Sequence, residues 1–73
     1  MTRLKFERLK RGLSLQALGH QAQVQGADIS KIERGIYAGY PGQRERLARV
    51  LDVELEQLLD EVSADEALEV SRV

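Results

Sequence analysis

Gln25-Gly26-Ala27-Asp28-Ile29-Ser30-Lys31-Ile32-Glu33-Arg34-Gly35 is the stretch on which the fold turns. Ile29 and Ile32 are three residues apart, which puts both on one side of a helix, and their neighbours are small or polar. Gly35 stands where helices commonly stop in the left-handed conformation. The spacing predicts a helix near 26–34 with one buried side and one open side.

Working outward, Ser14 offers a hydroxyl to the free N–H groups of a following turn, so a helix is expected from about Leu15 to Ala22, with Leu18 and Ala22 inward. The pattern breaks at Gln23-Val24-Gln25 and then resumes, giving two short helices joined by a tight turn over about 15–34. Further back, Leu4, Phe6 and Leu9 precede Gly12, which predicts a first helix over roughly 2–11. Forward of Gly35, three glycines, two tyrosines and the only proline fall within 35–42, a loop by turn chemistry.

A fourth helix is expected from about Gln43 to Leu51, burying Leu47, Val50 and Leu51 and leaving Arg44, Arg46 and Arg49 to solvent or a ligand. Val53, Leu55, Leu58 and Leu59 suggest a short fifth amphipathic helix. Ser63 and Glu66 have capping-box spacing, so Ala64–Val70 suggests a brief sixth helix. So short a helix is unstable alone; it either frays or docks on something. The chain therefore reads as a compact all-α bundle, with a domain over 1–61 and an acidic C-terminal tail, short helix or disordered, over 62–73.

With 73 residues there is room for one domain and a small core. No cysteine is present, so disulfides and thiolate metal sites are excluded, and self-association is the expected extra source of stability. No segment approaches the roughly 20 apolar residues of a membrane span, and the charged Arg3, Lys5, Glu7 and Arg8 precede no apolar signal region. A soluble, unprocessed, cytoplasmic homodimer is the expectation, without cofactor or metal.

The formal net charge of -1 conceals a division. Residues 1–51 carry ten basic groups against four acidic ones, and residues 52–73 carry eight acidic groups against Arg72 alone. A basic surface able to meet phosphate, with an acidic segment held away from it, fits this division; two ordinary solvated faces fit it as well.

The whole pattern resembles the phage-repressor and Cro-like regulators, the XRE-type helix-turn-helix family. The likeness is carried by Gly12-Leu13-Ser14, Leu18, Ala22, Val24, Ile29-Ser30-Lys31-Ile32-Glu33-Arg34-Gly35, Tyr40-Pro41, Arg46-Leu47-Ala48 and Leu51-Asp52-Val53. It spans about residues 4–60. It implies a lambda-repressor-like bundle of five short helices that dimerises on double-stranded DNA through the fifth helix and tail, with the third helix of each copy in the major groove. Such small regulators are often repressors or controllers of phage, plasmid or restriction operons. By the same likeness Arg8 and Glu33 form an internal salt bridge. Gln25, Gly26, Ala27, Asp28, Ser30 and Lys31 face base edges, and Ser14, Gln16, Arg34 and the loop with Tyr37 and Tyr40 face phosphate.

The chain differs from that pattern at several points. Gln23 stands where relatives place a glycine, Leu15 replaces a glutamine that reaches phosphate, and Gly19 is expected to weaken the second helix. Gly26 and Ala27 replace polar base-reading side chains, and Asp28 adds negative charge near the groove. These small residues also suit a second reading, the same scaffold as a protein-interaction module of antitoxin or anti-regulator type.

Other chemistry finds little footing. His20 has no second histidine or cysteine near it in sequence. A Ser14, His20, Asp28 triad lacks a nucleophile elbow, and the loop glycines match no phosphate-cradling motif. Tyr37 and Tyr40 suit stacking on nucleic acid and packing over a small core equally.

Overall fold

The computed structural model describes residues 1–71. Five α-helices follow in order: α1 (Arg3–Lys10), α2 (Leu15–Ala22), α3 (Gly26–Glu33), α4 (Pro41–Leu51) and α5 (Ala64–Ser71), with a single 3-10 turn at Leu55–Gln57. Leu4, Leu18, Ile29, Leu47, Leu51 and Leu58 lie wholly buried at the centre, one or two from nearly every element. The all-helical bundle expected from the sequence is the architecture observed.

Each helix end has a local cause. Thr2 Oγ1 accepts the Lys5 N–H at 3.1 Å and starts α1, and Gly12, at φ +68°, ends it while the Leu13 N–H returns to the Arg8 carbonyl at 3.0 Å. Ser14 Oγ caps α2 through the Ala17 N–H at 2.9 Å. α4 begins two residues earlier than the sequence suggested, because Pro41 takes the first helical position, where its missing N–H costs nothing.

Gln23 closes α2 in the left-handed conformation, φ 59° and ψ 43°. A side chain there costs about 1 kcal/mol relative to glycine. Two interactions oppose that cost. Val24 is buried, and Arg46 of α4 donates to the Ala22 carbonyl at 2.9 Å and the Gln23 carbonyl at 3.3 Å, capping the last turn.

Gly19 has a reason the sequence reading missed. A Cβ built there would lie 2.3 Å from the Val24 carbonyl oxygen, closer than atoms approach. The glycine weakens α2 as a helix yet is what lets the turn fold back across it.

Arg8 and Glu33 tie α1 to α3. The guanidinium donates to both carboxylate oxygens, at 2.7 and 3.0 Å, and to the Leu13 carbonyl at 2.9 Å, with side chains only 10% and 6% exposed. Each guanidinium nitrogen and each carboxylate oxygen has a partner, which a buried ion pair requires.

The segment after α4 corrects one expectation. The short helix anticipated over Val53–Leu59 is only the 3-10 turn; Leu58 is buried, but Leu55 and Leu59 are 43% and 38% exposed. So short a segment holds a helix only through packing, and of its leucines only Leu58 is fully buried. Leu58 and Asp60 accept the Leu4 and Arg3 N–H groups at 2.9 and 2.7 Å, satisfying two orphan donors at the start of α1.

The tail is a docked helix. Val62 is buried and its N–H is donated to the Met1 carbonyl at 3.0 Å, so the chain enters the tail without leaving the bundle. Ser63 Oγ accepts the Glu66 N–H at 3.1 Å, one half of the expected capping box. The Glu66 carboxylate turns instead to Arg3 of α1, with two bonds at 2.9 and 3.1 Å. That hydrogen bond holds the Glu66 carboxyl below the usual carboxylate range and raises the Arg3 guanidinium. No helix among the described residues is long and apolar enough to cross a membrane.

Candidate nucleic-acid interface

α2, the turn Gln23–Gln25 and α3 place the candidate residues on one side of the molecule. Ile29 and Ile32 point into the core, which turns the opposite side of α3 outward. Ala27, Lys31 and Arg34 then fall at i, i+4 and i+7 and are all exposed. The Lys31 ammonium makes no hydrogen bond or ion pair with the described residues. Arg34 Nε donates to the Ser30 carbonyl at 3.3 Å, leaving its terminal nitrogens outward, and Ser30 itself is half-buried.

Two helix N-termini flank this row. At α2, Ser14 claims the Ala17 N–H, while the Leu15 and Gln16 N–H groups have no hydrogen-bond partner among the described residues. At α3, Gln25 is the cap residue but makes no side-chain cap bond, so its exposed amide and the first N–H groups of the helix stay open. Such ends carry partial positive charge.

Gly26 sits differently from its neighbours. A Cβ there would point at the Leu15 carbonyl group, 3.4 Å away, and the Gln16 nitrogen, 3.6 Å away. The residue faces the first turn of α2, and Ala27, Lys31 and Arg34 form the outward row without it. Its small size follows from helix packing.

Asp28 is half-buried and half-committed. Gln43 of α4 donates to its Oδ2 at 3.2 Å. The Gln43 carbonyl oxygen in turn accepts the Tyr37 hydroxyl at 2.6 Å and the Tyr40 N–H at 2.9 Å. One side chain thus joins α3, the α3–α4 loop and the start of α4. No periodicity or motif marked it in the sequence; only its position three residues after Tyr40, as a cap partner, hinted at any role.

The two tyrosines part company. Tyr37 packs against the core and spends its hydroxyl proton on Gln43, so of the pair expected at phosphate only Tyr40, 70% exposed, keeps a free donor. Their rings meet edge to face, 6.1 Å apart. Asp28, Lys31, Ile36, Tyr37 and Tyr40 line a shallow groove of about 490 Å³.

Of the arginines on α4 that were expected to face solvent or a ligand, two are internal caps. Arg44 donates to the Ala38 and Gly39 carbonyls at 3.2 and 3.1 Å, holding the loop, and Arg46 closes α2. Arg11 likewise reaches the Leu51 carbonyl at 2.6 Å. Arg49 remains exposed. No group of carboxylates and histidine among the described residues is arranged to hold a metal ion. The chain matches no protein-family model, no curated protein and no solved structure.

Proposed function

We propose that the protein is a sequence-specific, double-stranded-DNA-binding transcription regulator that lays α3 in the major groove. The observation that carries this reading is the open row Ala27, Lys31, Arg34 beside two N-termini with unclaimed N–H groups. A cation between two anion-seeking helix ends suits a groove walled by phosphates. Lys31 donates to guanine acceptors, Gln25 to adenine, and the Leu15 and Gln16 N–H groups, Ser14, Arg34 and Tyr40 hold the backbone.

The role is positional, without catalysis. Two copies bind half-sites about one helical turn apart, meeting through the exposed Leu55, Leu59 and Leu68 of the C-terminal segment. Repression or control of a phage, plasmid or restriction operon is the biological setting this suits, in the cytoplasm. Duplex binding at about 50 mM salt, where phosphate contacts are strongest, tests the reading; a folded protein with no affinity there contradicts it.

One observation favours a protein partner instead. Ile36 is 64% exposed next to Tyr40, giving the rim of the open face an apolar edge of the kind interfaces use. Of the small residues that also motivate it, Gly26 is accounted for by packing on α2, whereas Ala27 stays exposed, and the acidic C-terminal segment suits a basic partner. A stable protein complex that competes with duplex for this face would favour it.

A further inference from the structure

We propose that Gln43, a residue on α4 outside the open row, positions Asp28 so that Asp28 and Lys31 together read a C·G base pair. The inference rests on the DNA-binding reading and names a part of its target.

Gln43 is locked by its hydrogen bonds. Its carbonyl oxygen is fixed by two donors, the Tyr37 hydroxyl and the Tyr40 N–H, so the amide plane has little freedom and its NH₂ points at Asp28 Oδ2. Asp28 is thereby held by one oxygen. Its other oxygen accepts no hydrogen bond from the described residues, and no ion pair forms with Lys31. Opposite charges three residues apart on a helix ordinarily drift together. Here the carboxylate is tied toward α4, so the acceptor and the ammonium line one groove without pairing with each other.

That pairing of one acceptor with one cationic donor has a counterpart in the major groove. Cytosine offers an N4 amine donor, and guanine, across the same pair, offers the O6 and N7 acceptors next to each other. Lys31 meets both guanine acceptors and Asp28 accepts from the cytosine amine. An A·T pair serves less well, because the adenine N6 amine lies beside N7 and repels the ammonium, and the thymine methyl crowds the edge. Ile36 and Tyr40 wall the groove and thin the water around the two charges, strengthening their interactions with the base pair.

Gln43 is a positioning residue and is tested through the base preference it sets. Sequences bound from a random duplex pool are compared for wild-type protein, Asp28→Asn and Gln43→Leu, with melting temperatures measured alongside. Wild type is expected to select C·G at one position in each half-site. Asp28→Asn should lower that preference about tenfold, and Gln43→Leu should relax the same position while the other positions keep theirs. Tyr37→Phe, which removes one of the two anchors of Gln43, is the milder variant if Gln43→Leu fails to fold, with a smaller relaxation at the same position. Unchanged preferences in every variant, or a loss spread evenly over all positions, overturn the proposal while leaving DNA binding intact. Absence of any duplex binding by the wild type overturns the functional reading and this inference with it.

Discussion

The α2–α3 side and the C-terminal segment differ in what they close. Residues 58–66 dock on the start of α1: Glu61 meets the N-terminal ammonium at 2.9 Å, Glu66 meets Arg3, and the Leu58 and Asp60 carbonyls cover the first N–H groups of α1, while Asp52, Glu54, Glu56, Asp60, Asp65 and Glu69 stay exposed without an ion pair among the described residues. On the α2–α3 side Lys31 has no ion pair among the described residues, and the first N–H groups of α2 and α3 have no hydrogen-bond partner there, although Ser14 claims the Ala17 N–H. Counting charges along the chain does not reveal this. Arg3, Arg8, Arg11, Arg44 and Arg46 are all occupied by carboxylates or carbonyls of the protein itself. The basic excess of residues 1–51 therefore overstates what a ligand meets, and the contrast between sides lies in which groups lack internal partners.

The largest effect expected is on the closed architecture. Arg8→Ala leaves the Glu33 carboxylate buried without its partner and should cost about 3–5 kcal/mol in thermal or urea unfolding. The paired replacement Arg8→Met with Glu33→Leu should recover most of that loss, since the penalty comes from the stranded charge. Equal losses in the single and double variants would mean the pair carries net stability of its own.

Gly19→Ala is a sharper test because two principles disagree in sign. Helix propensity alone predicts a gain of about 1 kcal/mol. The 2.3 Å approach of the new Cβ to the Val24 carbonyl predicts a loss of about 1–3 kcal/mol, and the loss is the expected outcome, since that carbonyl is backbone and cannot swing aside. Urea unfolding decides between them.

On the open side Arg34→Ala should leave stability nearly unchanged, weaken binding evenly across duplex sequences, and lower the steepness of the salt dependence by about 1. An unchanged slope would place Arg34 off the phosphates.

The smallest effect concerns α5. The Glu66 carboxyl is held low by Arg3, so its contribution is present above the ordinary glutamate range and disappears as pH falls through the depressed value. Measured against the intrinsic exchange rate at each pH, protection of the α5 amides should fall in the wild type as pH drops below the ordinary glutamate range, and Glu66→Gln should be weakly protected throughout. Protection that ignores pH in both would show that Val62 and the Met1 pairing hold the helix without Glu66.

What could be read in advance follows the range of each interaction. Gly12, Ser14 and Gly35 act on their own neighbours, and Leu18, Ile29, Ile32 and Leu47 lie on helical stripes, so the limits of the first three helices and the core were legible, unlike the start of α4 and the segment after it. The Arg8–Glu33 pair came through family likeness, not spacing. The Arg46 cap, the Gln43 junction and the pairing of residues 58–62 with residues 1–4 join polar groups distant in sequence, and such contacts leave no periodic trace. The same limit explains Gly19 and Gly26. A glycine's neighbours along the chain do not say which backbone will cross it.

The central claim is that the open side of α2 and α3, not the acidic segment, meets duplex DNA. Mapping backbone amide chemical shifts during titration with duplex measures this directly, residue by residue. Changes concentrated at Ser14–Gln16, Gln25–Arg34 and Ile36–Tyr40, with α5 undisturbed apart from any dimer contact, are the predicted result. Changes confined to residues 52–71, or a spectrum indifferent to DNA at low salt, would contradict it.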